Sequence, residues 1–174
     1  MCVDRRLRFE SFYEEHGPDV KAYVLRRSDA SSADDLVAEV FLVCWRRFDE
    51  VPREPLPWLL GVARRVLSTQ RRGEERREAL RERLVNEPGV PSVATASRDS
   101  ALGAALGRLR ESDRELLLLI GWDGLSPAEA AIVLDIKPST ARVRALRARR
   151  RLASALAAVE TTSPPCTSIS VEMQ

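Results

Sequence analysis

Two helix signals separated by a five-residue turn constrain this chain more than any other feature it carries. Ser126-Pro127-Ala128-Glu129 reads as a capping box with proline at the first helical position. The serine hydroxyl accepts from a backbone N–H one turn on, the glutamate reaches back, and the fixed φ of proline suits the first turn. The apolar spacing carries that helix to about Leu134. A turn over Asp135–Ser139 follows, then a long helix from Thr140 to about Val159. On this last helix Ala141, Ala145, Ala148 and Leu152 share one face, small enough for close packing. Arg142, Val143, Leu146, Arg147 and Arg150 share the opposite face. Two helices of unequal length across a tight turn describe a helix-turn-helix.

Charge supports a nucleic-acid role for the second of these helices. From Lys137 to Val159 there are seven basic residues and no acidic one. Arginines on its outward face suit bidentate contact with guanine edges in a major groove, and Val143 suits a thymine methyl. Arg144, Arg149 and Arg151 are better placed for phosphates, which add salt-dependent affinity without sequence information. Ser139 and Thr140 open the helix, where N–H groups and hydroxyls hold a phosphate. The whole chain has a net charge of only +2. Its basic residues are nevertheless concentrated in two blocks, 61–86 and 126–159, separated by acidic stretches. Two basic blocks fit two contacts with one polyanion.

The rest of the chain is also helical in period, and no strand signal competes. Phe9, Phe12 and Tyr13, then Val20, Tyr23 and Val24, recur at helical spacing, with Gly17-Pro18 predicted to interrupt them. Ser31 and Ser32 read as a cap before Asp34 and Asp35. Leu36, Val37, Val40, Phe41, Cys44, Trp45 and Phe48 then form a broad apolar stripe, and Leu42 and Val43 add apolar surface outside it. Three prolines between Val51 and Pro57 predict a loop, with a helix restarting at Pro57. Trp58, Leu59, Val62, Ala63, Val66 and Leu67 face inward on that helix, with Arg64, Arg65, Arg71 and Arg72 largely on the other side. Leu102, Ala105, Leu106 and Leu109 form a further stripe, and Ser112-Asp113-Arg114-Glu115 reads as a second capping box. The fold class is therefore all-α: two small helical domains over 1–86 and 100–159, a flexible linker over 87–99, and a disordered tail over 160–174.

Several classes are excluded. The start MCVDRRLRF lacks the apolar stretch of a signal peptide, and the longest apolar run, Leu116 to Ile120, is far below the roughly 20 residues of a membrane span. Cys2, Cys44 and Cys166 are scattered, with no CxxC pair, so the expected compartment is reduced and cytoplasmic. His16 is the only histidine, and no phosphate-cradling glycine loop is present. No catalytic set, metal site or cofactor is expected, and the chain reads as a non-enzyme.

Two stretches carry a resemblance. DDLVAEVFLVCWRRFDEVPREPLPWLLGVARRVL and LRESDRELLLLIGWDGLSPAEAAIVLDIKPSTARVRALRARRRL together resemble the extracytoplasmic-function group of bacterial sigma factors, in the right order and at a suitable separation. The resemblance covers roughly Phe9 to Leu156. It implies two domains, regions 2 and 4, that bind core RNA polymerase and promoter DNA. It also implies, as for many members, an anti-sigma factor as a further partner.

By this resemblance the helix over Asp35–Arg47 docks on core polymerase through Asp35, Glu39, Leu42 and Val43. The two acids have a second reading, as helix-start charge complementing the dipole. The Pro52–Leu56 loop and the following helix are implied to capture and open the −10 element, through Pro52, Arg53, Leu56, Arg64, Arg65, Arg71 and Arg72. Trp58 is available for stacking, but its position on the helix fits the core. The −35 element falls to Lys137, Ser139, Thr140, Arg142, Val143, Arg144, Leu146, Arg147, Arg149 and Arg150. Many relatives have asparagine where Arg65 stands, and glycine where Ser139 stands. Two other readings use the same residues. A regulator that recruits no polymerase predicts specific duplex binding by the chain alone, and a helical interaction module predicts no sensitivity to Arg142 or Arg147.

Overall fold

The computed structural model describes residues 2–84 and 100–160. The linker expected at 87–99, Cys166 and all but the first residue of the expected tail lie outside the described residues. Seven α-helices and no strand are found among those described. In order they are α1 (Cys2–Leu25), α2 (Ala30–Arg46), α3 (Pro55–Leu84), α4 (Ala101–Gly107), α5 (Glu111–Gly121), α6 (Pro127–Leu134) and α7 (Pro138–Glu160). A single 3₁₀ turn, Phe48–Glu50, lies between α2 and α3.

The first three helices form the N-terminal bundle. α1 runs unbroken through Gly17-Pro18, where the sequence predicted an interruption. An interior proline costs roughly 3 kcal/mol. Just beyond it Val20, Tyr23 and Val24 are fully buried, and each such side chain returns about 1.5–3 kcal/mol, so burial outweighs the lost bond. α2 starts earlier than the serine pair suggested. Asp29 is its N-cap residue, and Ser32 instead turns its hydroxyl back to the Asp29 carbonyl at 3.1 Å. The stripe predicted for this helix is buried as Leu36, Val37, Val40, Phe41 and Cys44. Phe9 and Phe12 of α1 meet Phe41 and Phe48 edge-on, the geometry favoured by ring quadrupoles. Burial pushes the Cys44 thiol up to about 12, which makes it a packing residue.

α3 begins at Pro55, two residues before the predicted restart, so Leu56 and Pro57 belong to its first turn. It continues as one helix through Gly73 to Leu84. Leu59, Leu60, Val62, Ala63, Val66 and Leu67 face the bundle. Trp58 is half-buried and packed against that core, with the Arg47 guanidinium 5.7 Å from its ring centre.

The C-terminal half is built by α4 to α7, with α7 packed against the other three. Ser100 caps α4 by accepting from the Gly103 N–H at 3.0 Å. The second predicted capping box is not formed. Arg110 stands at the N-cap of α5, and the Asp113 and Glu115 carboxylates are taken by arginines distant in sequence.

The two halves are packed together. Leu116, Leu119, Leu125, Ala130, Val133 and Ala145 belong to the same apolar cluster as the N-terminal bundle. α3 lies on α6, closely enough that a Cβ added at Gly61 would sit 3.8 Å from the Val133 Cα. Around this seam Asp123 receives both Arg26 and Arg27, the latter at 3.0 Å. Arg64 meets Glu115 at 3.0 Å and Arg71 meets Glu111 at 2.9 Å.

Candidate nucleic-acid interface

The strongest local signal in the sequence forms as expected. The Ser126 N–H donates to Glu129 Oε2 at 2.7 Å, and the Glu129 N–H donates to Ser126 Oγ at 3.2 Å. These bonds hold the Glu129 carboxyl below its ordinary range. α6 ends at Asp135, whose φ of 54° is left-handed, a conformation a short polar side chain tolerates better than most. α7 then starts at Pro138, so Ser139 and Thr140 lie in its first turn rather than closing the connection.

Packing decides which face of α7 looks outward. Ala141, Ala145 and Ala148 are buried, so the helix approaches its neighbours along a seam of methyl groups. Arg142, Val143, Leu146, Arg147, Arg149 and Arg150 are exposed, as are Lys137, Ser139 and Thr140 at the helix start. Val143 and Leu146 leave about half their surface to solvent, 49% and 51%. Two exposed apolar side chains between arginines are what a groove-reading face offers to base edges and thymine methyls. Arg144 is set apart: it is half-buried and its Nη2 lies 3.7 Å from Asp113 Oδ1.

The second set of basic residues lies along α3 and the loop before it. Pro52 and Arg53 are exposed in the loop, and Leu56 packs against the core. Arg65 and Arg72 are exposed, and Arg72 donates to its own helix at the Ser68 carbonyl, 3.2 Å. Arg64 and Arg71 are held by Glu115 and Glu111 across the seam. A cleft of about 720 Å³ opens there, with Leu67, Leu106 and Leu118 between arginines of both halves. The Tyr23 hydroxyl at its wall is buried without a hydrogen-bond partner, and burial pushes it up to about 12.

On α2, Asp35 and Glu39 are exposed, as is Leu42 at 49%. Val43 is half-buried and packed partly on the core. The neighbouring Asp34 is paired with Lys21 at 2.8 Å. Among the described residues no cluster of His, Cys, Asp and Glu is arranged to hold a metal. No helix there is long and apolar enough to cross a membrane.

Sequence reading missed Asp113, Glu115, Glu111 and Asp123. Local spacing assigns the first two to a cap, and only the fold brings arginines to them from other helices. A signal for Asp113 did exist: Arg144, Arg147 and Arg151 recur at i, i+3 and i+7 on one side of a helix otherwise lined with alanine.

A helical body that carries an arginine-bearing helix-turn-helix and a second basic helix has the form of a DNA-binding protein. Comparison with known proteins narrows this. The family described as Sigma-70 region 2 matches residues 12–77, and Sigma-70, region 4 matches residues 99–152. The chain is 32% identical over 148 residues to the ECF RNA polymerase sigma factor EcfG of Rhodopseudomonas palustris, covering 80% of each. It is 33% identical over 153 residues to the ECF RNA polymerase sigma factor SigC of Mycobacterium tuberculosis, covering 82% of this chain and 80% of that one. Among solved structures, the sigma factor RpoE in complex with the anti-sigma factor NepR from Bartonella quintana superposes with a TM-score of 0.65 at 26% identity. That match covers 86% of this chain and 97% of the other. The chain belongs to the extracytoplasmic-function sigma factors of bacterial RNA polymerase. It binds core polymerase and directs promoter recognition and initiation.

Proposed function

We propose a residue map for that activity. The α7 face carrying Arg142, Val143, Leu146 and Arg147 reads the −35 element, with Lys137, Ser139, Thr140, Arg149 and Arg150 on flanking phosphates. Arg53, Arg64, Arg65, Arg71 and Arg72 attract the single strand at −10. Asp35, Glu39, Leu42 and the exposed part of Val43 dock on core polymerase. The polymerase performs the nucleotidyl transfer, and this chain supplies no catalytic group. Residues 1–86 and 100–159 act as separate units on DNA, in the cytoplasm.

The observation that carries this reading is the opposition of faces on α7, alanines buried and arginines with Val143 and Leu146 exposed. It implies a conformational step as well. The −10 and −35 elements lie about 25 base pairs, roughly 80 Å, apart, about twice the diameter of a compact chain of this length. The packed arrangement therefore cannot touch both. Reaching both elements requires the two halves to separate. In the packed arrangement Arg64 and Arg71 are occupied by glutamates, and opening hands them to DNA. The cleft between the halves is the seat we assign to an anti-sigma partner, as RpoE was solved with one.

Site-directed photocrosslinking in holoenzyme tests the map. A crosslinker at Val143 should mark the −35 element and one at Arg72 the −10 strand. Crosslinks that are exchanged, or absent in an active holoenzyme, would overturn the assignment.

A further inference from the structure

Asp113 is the one charged residue buried as a whole among the described residues, with 6% of its surface exposed. It sits in the first turn of α5, and its carboxylate faces α7. Arg151 Nη1 donates to Oδ2 at 2.5 Å, and Arg144 Nη2 lies 3.7 Å from Oδ1. Arg144 and Arg151 are seven residues apart, two helical turns or about 10 Å along the α7 axis. Arg147 lies between them on the same stripe. A concavity of about 340 Å³ collects these three arginines with Arg110 and Ser112 around the single carboxylate.

The remainder of the α7 contact explains why such a group is needed. The buried positions Ala141, Ala145 and Ala148 offer only methyl groups, and Leu152 adds one larger apolar side chain, partly buried against Leu106, Leu109 and Leu117. Methyl groups permit close approach but interdigitate little, so three of these four positions add little to fixing rotation and axial position. One carboxylate grasped from two turns of the same helix sets both. A slip of one residue moves α7 by about 1.5 Å and turns each side chain by about 100°, which breaks both contacts. Fixing register is the best-attested use of a buried charge.

We propose that Asp113 is a positioning residue for promoter reading. It locks the rotation and axial position of α7 through Arg144 and Arg151, and so aims Arg147, Val143 and Arg142 at bases. It also withholds two guanidinium groups from phosphates, which keeps affinity that carries no sequence information low.

The test uses holoenzyme assembled from core polymerase and the full chain. Run-off transcription would be read by sequencing on two libraries built from one promoter recovered with the native chain, one randomised at −35 and one at −10. Asp113→Asn removes the charge with little change in volume. Arg151→Gln removes the other partner at a half-exposed position. Each variant should lose roughly tenfold of the preference for the best −35 sequence over shuffled ones, with more background starts and an unchanged −10 preference. A uniform fall in output with the −35 preference intact would reduce Asp113 to a fold-stabilising residue and overturn the proposal. Equal flattening at −35 and −10 would also overturn it. A native holoenzyme with a −10 preference but none at −35 would overturn both this proposal and the assignment of α7.

Discussion

Arg64 Nε donates to Glu115 Oε1 at 3.0 Å, joining α3 of the N-terminal half to α5 of the C-terminal half. Arg71 and Glu111 repeat the arrangement two turns along α3. These pairs lie at the rim of an apolar seam that the halves share. Exposed ion pairs contribute about 0–1 kcal/mol each, so the seam itself supplies most of the attachment. The pairs add specificity to the attachment, because each sets one particular arginine against one particular carboxylate.

A wedge in the seam should open the molecule. Gly61 faces the α6 backbone at Val133, and a leucine there has room for its Cβ but not for the branches beyond. Within a helix the same change raises intrinsic propensity by about 1 kcal/mol, so the N-terminal bundle should remain folded. Gly61→Leu is expected to raise the radius of gyration above the roughly 16 Å of a compact chain of this length. Small-angle scattering would show this. A native-like radius in the variant would place the attachment elsewhere.

The capping box makes a pH-dependent contribution. Its hydrogen bonds depress the Glu129 carboxyl below the ordinary 4.5, so the folded state binds the proton less readily than the unfolded one. The stabilisation is therefore complete above that ordinary value and is lost as pH falls through the depressed one. Glu129→Ala should lower stability near neutrality by removing the bond from the Ser126 N–H. The gap between native and variant melting temperatures should narrow as pH falls below that ordinary value. A gap that persists in acid would mean the carboxylate acts by some other contact.

Docking on polymerase should depend on acids that the fold does not use. Asp35 and Glu39 are exposed on α2, so Glu39→Ala should leave helix content and melting temperature unchanged while weakening core affinity by about 1–2 kcal/mol, a typical loss for one important interface side chain. Fluorescence titration against core would measure it. Unchanged affinity would return both acids to the helix-dipole reading.

Arg147 and Arg149 should behave differently although both are exposed on α7. Arg147→Ala is expected to cost about 1–3 kcal/mol and to relax the preference at one −35 position. Arg149→Ala should weaken all sequences alike and reduce the salt dependence by about one phosphate contact. Identical profiles for the two would contradict the division of the helix into a reading face and a phosphate flank.

Much of this was legible from short-range pattern. The Ser126–Glu129 box, the alanine seam and the outward face of α7 are set by spacings of three and four residues, and the structure reproduces them. Ser112-Asp113-Arg114-Glu115 has the same local form, yet no cap results. The Asp113 carboxylate is taken by Arg151, 38 residues away, and that of Glu115 by Arg64, 51 residues away. A local pattern cannot register such competitors. Gly17-Pro18 misled for a related reason, since burial of Val20, Tyr23 and Val24 against other helices outweighs the missing hydrogen bond. The packing of the two halves was invisible in the same way: Gly61 and Val133 carry no mark of each other in the sequence.

Run-off transcription shows whether the chain programs core polymerase to start at promoters. The purified chain and sigma-free core polymerase would be given genomic fragments of the source organism, with core alone as control. The expected result is a set of discrete starts that require the chain and share two upstream elements about 25 base pairs apart. Core of verified activity that gives no chain-dependent starts, with a chain that nonetheless binds duplex sequence-selectively, would contradict it.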